Sequence, residues 1–64
     1  MMRLIIGMSG SSGVIYGIRI LEMLASNSEI ETHLVMSQAA RMNVGIETDW
    51  KAEDVEALAD VVHN

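Results

Sequence analysis

Arg3-Leu4-Ile5-Ile6-Gly7-Met8-Ser9-Gly10-Ser11-Ser12-Gly13-Val14 is the stretch on which the fold turns. Its first half is a short aliphatic run without polar alternation, Arg3 to Met8, which suits a strand buried on both faces as in a parallel sheet. Its second half is a glycine and serine cluster, Ser9 to Gly13. From Val14 onward, Val14, Ile18, Leu21 and Leu24, with Ile15 and Met23 beside them, follow helical spacing until Ser26-Asn27-Ser28 ends the pattern. The reading is strand, turn, helix.

Beyond that helix the period changes. Ile30, Thr32, Leu34 and Met36 alternate with Glu31, His33 and Val35, so Glu31 to Met36 reads as a second strand. Ser37 then offers an N-cap oxygen to a helix carrying Ala39, Ala40, Met42 and Val44, with Gly45 as the permissive residue expected at its end. A last amphipathic stretch sets Val55, Leu58, Ala59 and Val62 against Glu53, Asp54, Glu56 and Asp60, and its expected state is helical at least through Leu58.

Strand, crossover helix and strand form a βαβ unit with parallel pairing. Two such strands do not make a domain. The chain has 64 residues, no Cys and therefore no disulfide staple, and too little length left to cover both sheet faces. Residues 1–64 are therefore expected to be the opening third or so of a larger α/β protein, or a fragment that needs other chains: one incomplete domain rather than a folded whole.

Composition narrows the function. Half the residues are hydrophobic and a fifth are charged, a globular balance. The net charge is −5, and all of it falls after Ile46: Arg3, Arg19 and Arg41 balance Glu22, Glu29 and Glu31, whereas Lys51 faces Glu47, Asp49, Glu53, Asp54, Glu56 and Asp60. The acidic segment reads as a solvated helix face. With no basic stripe, nucleic acid is not an expected partner. Apolar runs such as Leu4-Ile5-Ile6 are far short of the roughly 18 residues a membrane span needs, no h-region of signal-peptide length follows Arg3, and a cytoplasmic setting is the expectation.

The turn itself has chemistry. Where a buried strand feeds a helix, free backbone N–H groups and the positive end of the helix dipole point at one spot, which favours an anion. Glycines allow close approach, and Ser9, Ser11 and Ser12 add neutral hydroxyl donors. Gly7-x-x-Gly10-x-x-Gly13 is neither the dinucleotide G-x-G-x-x-G nor a Walker A, and the turn also serves as plain punctuation between elements. A dinucleotide fold expects an acid after the second strand; Met36-Ser37 stands there, so NAD is disfavoured and a mononucleotide such as FMN stays open. Because ligands of open parallel sheets sit beyond the strand carboxyl ends, the Ser9 to Gly13 loop and Ser37 should converge on one crevice. Gly17, one turn into the first helix, should let that helix lie close to the strand.

Taken together, Arg3 to Gly7, Ser9 to Gly13, Tyr16-Gly17, Glu31-Thr32-His33-Leu34-Val35-Met36-Ser37 and Glu47-Thr48-Asp49 resemble the N-terminal part of the flavin prenyltransferases, the phenylacrylic acid decarboxylase type of flavoprotein. The resemblance runs nearly end to end. It implies a flavodoxin-like, Rossmann-like α/β subunit, a homododecamer, that binds FMN and dimethylallyl monophosphate and joins the prenyl group to flavin N5 and C6. It further implies delivery of the prenylated FMN to a separate decarboxylase of aromatic or unsaturated acids, including a step of ubiquinone synthesis, and no metal. By position, Gly10, Ser11, Ser12 and Ser37 match FMN-contacting residues, and Glu47 matches the carboxylate beside the prenyl phosphate. Loss of phosphate from an allylic carbon leaves a cationic fragment, which a carboxylate stabilises or relieves of a proton.

This chain departs from the family pattern in small ways: Ser11 stands for a common Ala, Gln38 for a frequent Lys and Lys51 for a helix-capping Ser. The basic and tyrosine residues that hold the prenyl phosphate in the family are absent from residues 1–64, so the chain alone is not expected to catalyse. The alternative reading is a noncatalytic FMN-binding or assembly module on the same βαβ unit; a related flavin-dependent cysteine decarboxylase is the third. His33 and His63 are expected in structural or solvent roles, and Trp50 and Tyr16 in packing.

Overall fold

The computed structural model describes residues 1–10 and 13–63, which form β1 (Met2–Met8), α1 (Val14–Leu24), β2 (Ile30–Met36), α2 (Gln38–Glu47), α3 (Ala52–Glu56) and β3 (Val61–His63). Aliphatic and β-branched residues make the strands, and the sheet is parallel in the order β1-β2-β3. Met2 pairs with Ile30 and Met8 with Met36, so β1 and β2 end level with one another. The expected βαβ unit is present.

The third strand overturns the expectation for the last stretch. α3 ends at Glu56, two residues short of Leu58, and Val61 and Val62 leave helical geometry to pair beside His33 and Leu34. The cause is tertiary. Asp60, read as one of a solvated row of acids, accepts from the Thr32 N–H at 2.8 Å and from Thr32 Oγ1 at 3.2 Å. Its own N–H donates to Thr32 Oγ1 at 3.0 Å. Thr32 is buried, so this reciprocal pair satisfies groups that water cannot reach, and it delivers the β-branched Val61-Val62 pair to the sheet.

Two further expectations are corrected. Gly45 lies inside α2, and Thr48 ends the helix by sending both its N–H and its Oγ1 to the Val44 carbonyl, at 3.1 and 2.6 Å. Glu56 does not stand free in solvent either, because Arg41 Nη1 on α2 donates to its carboxylate at 2.6 Å.

Helices α1 and α2 pack against each other and share one face of the sheet. Val14, Ile18 and Leu21 recur on one side of α1 and meet Met8, Leu34, Ala40, Val44 and Val55 in a single core, with Trp50 and Leu58 packed at its margin. Gly17 permits this approach as expected, since a Cβ there would run into the Met8 side chain.

The opposite face is uncovered. Burial of β1 on both faces is not found: Ile5 is 73% exposed and Leu4 also reaches solvent. All helices sit on the other side, so only Ile6 and Met8 of this strand find cover. Across the open face runs a polar row. Arg3 Nε donates to Glu31 at 3.1 Å, His33 Nε2 lies 2.7 Å from the same carboxylate oxygen, and His33 Nδ1 lies 2.9 Å from His63 Nε2 with the two rings stacked. A carboxylate only accepts, so His33 donates to it from Nε2. No group of three or more His, Cys, Asp or Glu among the described residues is arranged to hold a metal.

Candidate functional site

Equal strand lengths bring two helix mouths to one edge. β1 ends at Met8 and β2 at Met36, and the Ser37 N–H donates to the Met8 carbonyl at 3.0 Å, which ties the two exits together. Ser37 is the N-cap of α2, its Oγ accepting from the Ala40 N–H at 3.0 Å. That bond satisfies one of the four amides a helix start leaves open; those of Gln38 and Ala39 keep no acceptor within the helix. α1 opens beside it with Gly13 as N-cap and no side-chain cap.

Neither helix carries an acidic residue in its first turn. Both positive dipole ends are therefore left for an external anion, the arrangement that binds phosphate at strand-to-helix junctions.

Gly10 lies against this corner. Its carbonyl accepts from the Asn43 side-chain amide on α2. A Cβ built on Gly10 would stand 2.5 Å from the Ala39 Cβ, closer than two carbons approach without displacement. Glycine is thus required by proximity to α2. The constraint is one of packing, and it seats the loop backbone on the first turn of α2, beside the amides that helix leaves open.

The expected convergence of the glycine loop with Ser37 is found for Gly10. Ser11 and Ser12 lie outside the described residues. Glu47 is the last residue of α2 and is exposed. At about 1.5 Å per residue it stands about 15 Å along the helix from Ser37, so it is not part of the phosphate corner. A cleft of about 220 Å³ between β1 and α1, lined by Met8, Ser9, Gly13 and Gly17 among others, adjoins the corner. A roomier hollow of about 400 Å³ lies at the other end of the strands, near Met1, Asn27 and Glu31. The strand carboxyl ends mark the first as the relevant one.

Two residues carry weight that the sequence did not announce. Asn43 sits six positions past the cap with no motif around it. Asp60 was masked by its place in a run of acids, although the Val61-Val62 pair after it was a strand signal.

The pattern of the Flavoprotein family matches residues 1–62. This chain belongs to the flavoprotein family. Among curated relatives, the flavin prenyltransferase UbiX of Escherichia coli is 58% identical over 64 residues, covering 100% of this flavoprotein chain and 34% of the relative. A probable UbiX-like flavin prenyltransferase of Sedimentibacter hydroxybenzoicus is 54% identical over 63 residues, covering 98% and 33%. The chain thus spans about a third of the length of the curated relatives it matches.

Solved structures agree on the fold. A dodecameric FMN-dependent UbiX-like decarboxylase from Escherichia coli O157:H7 superposes with a TM-score of 0.94 at 46% identity, covering 98% of this chain and 34% of that one. AnUbiX (PadA1), in complex with FMN and dimethylallyl pyrophosphate, gives 0.90 at 43% identity, covering 98% and 33%. The parallel βαβ arrangement of this flavoprotein is therefore that of the UbiX flavodoxin-like fold.

Proposed function

We propose that this chain supplies the flavin-phosphate corner of a flavin prenyltransferase, as one part of a longer flavoprotein domain. The observation that carries the reading is Gly10 pressed onto the first turn of α2, next to the Ser37 cap, at two helix mouths free of acidic residues. The kinship supports it: relatives that this chain matches over its whole length bear that activity in their names, and a similar structure holds FMN with a dimethylallyl ester.

In this reading Gly10, Ser11, Ser12 and Ser37 hold the FMN phosphate by neutral donors and helix dipoles. Bound there, reduced FMN supplies the nucleophilic nitrogen and carbon that take up a prenyl group from dimethylallyl monophosphate. Toward the flavin, this chain's own contribution is to bind and orient. Glu47, outside the phosphate corner, is assigned to the prenyl half of the reaction, where its carboxylate stabilises allylic positive charge or takes a proton. The setting is a cytoplasmic homododecamer, and the prenylated FMN serves a partner decarboxylase, including one of ubiquinone synthesis. No helix among the described residues is long and apolar enough to cross a membrane, and a chain without Cys has no need of an oxidising compartment.

A chimera tests the reading. Residues 1–64 replace the matching segment of the Escherichia coli relative, and the purified protein is supplied with reduced FMN and dimethylallyl monophosphate. Retained FMN and a flavin heavier by one prenyl unit are expected. Glu47→Gln should keep the FMN and lose the prenylated product. A chimera that folds but retains no FMN refutes the reading; one that retains FMN without prenyl transfer favours the noncatalytic flavin module.

A further inference from the structure

We propose that Asn43 is a positioning residue for the flavin phosphate: its side-chain amide holds the Gly10 carbonyl against α2 and so keeps that oxygen out of the anion corner. The inference rests on the flavin reading above and goes beyond it by naming a residue that no motif marks. Asn43 lies 33 residues from Gly10 in sequence, yet its Nδ2 donates to the Gly10 oxygen. A carbonyl oxygen accepts and never donates, so the amide must present its nitrogen, and its orientation is dictated by the contact.

Ala39 and Asn43 are four residues apart and therefore stand one above the other on the same face of α2. Together they make a seat. The Ala39 methyl sets how close Gly10 comes, and Asn43 sets which way its carbonyl turns.

Orientation matters because the groups this chain brings to the corner are donors without charge. No Lys, Arg or His lies from Met8 to Tyr16 or from Met36 to Ala40, so these two segments offer an anion amides, hydroxyls and dipoles. A peptide carbonyl turned into such a site presents partial negative charge to the phosphate and cancels part of that attraction. Bonded to Asn43, it cannot turn. The donor also satisfies the carbonyl, which removes its tendency to recruit water or the first-turn amides of α2.

The test compares FMN with riboflavin, which shares the ring and lacks the phosphate. Affinities for both are measured by flavin fluorescence on the chimera described above, with the native segment and with Asn43→Ala and Asn43→Asp. Asn43→Ala is expected to weaken FMN about tenfold, the scale of one lost polar contact, while riboflavin changes by less than about twofold. Asn43→Asp should weaken FMN further, because a carboxylate repels both the Gly10 oxygen and the phosphate. Misfolding does not explain a loss in the alanine variant, since Ala is the better helix former, and thermal melting by circular dichroism checks that both variants stay folded.

Equal loss of FMN and riboflavin overturns the proposal, because Asn43 would then support the fold or the ring site. Unchanged FMN affinity in both variants, with native binding intact, overturns it and leaves the flavin reading standing. A folded chimera with the native segment that binds riboflavin and FMN equally, or neither, removes the phosphate corner and this proposal with it.

Discussion

Asp60→Ala should detach the third strand. The Asp60 carboxylate is the acceptor for the buried Thr32 N–H at 2.8 Å and for its hydroxyl at 3.2 Å. Truncation leaves the amide without a partner, at about 1–3 kcal/mol for a buried unsatisfied donor, while the hydroxyl can still accept from the residue-60 N–H. With the second bond counted, the expected loss is about 2–4 kcal/mol. Folded domains hold only about 5–15 kcal/mol in total, so this is a sizeable share. Asp60→Asn retains an acceptor and forfeits only the charge assistance, about 1 kcal/mol. Thr32→Val keeps the volume and removes both hydroxyl bonds. Because the two residues share those bonds, the double variant Asp60→Ala with Thr32→Val should cost about 1 kcal/mol less than the sum of the singles. Urea unfolding followed by circular dichroism gives the energies, and amide exchange at Thr32 and Val62 reports the strand. An Asp60→Ala variant within about 0.5 kcal/mol of the native chain, the level of an inert surface change, with Thr32 still protected, refutes the account.

Gly10→Ala places a methyl 2.5 Å from that of Ala39 and should lower FMN affinity about tenfold; Ala39→Gly in the same chain should restore it, as isothermal titration would show. Ser37→Ala removes the cap bond to Ala40 and should cost about 1 kcal/mol of stability in urea titration. Ser37→Asp keeps a capping oxygen, so the fold should hold, yet a carboxylate in a phosphate corner should abolish FMN binding in equilibrium dialysis. The Glu31 carboxyl is held below the ordinary glutamate value of 4.5, chiefly by its hydrogen bond with His33 and then, against a smaller opposing push from desolvation, by the charges of His33 and Arg3. A lowered folded pKa means the unfolded chain takes up the proton first as acid is added. The contribution is full above 4.5 and fades as pH falls through the folded value, so Glu31→Gln should be less stable than the native chain near neutrality and should flatten the acid limb of a pH–stability profile, the two curves converging at low pH.

Local order was legible because it depends on neighbours in the chain. Gly and Ser after an aliphatic run end a strand, Ser37 caps a helix through an amide three residues on, and the alternation from Ile30 to Met36 settles which residues of β2 face α1. The parallel pairing followed, since a helix between two strands permits little else. Most of what escaped depended on partners 15 or more residues away. The acids from Glu47 to Asp60 look alike in sequence; Arg41 claims Glu56 and Thr32 claims Asp60, and that last contact turns the end of an apparent helix into β3.

The same division runs through the candidate site. Gly10 and Ser37 are a loop glycine and a cap on sequence grounds alone, because backbone freedom and capping are properties of a residue and its next few neighbours. That they meet, with Ala39 setting the distance and Asn43 holding the carbonyl, was decided only when β1 and β2 paired level and laid the first turn of α2 against the exit of β1. A sequence specifies which groups can donate and accept; which of them come within 3 Å is settled by packing, where burial leaves each polar group few partners to choose from.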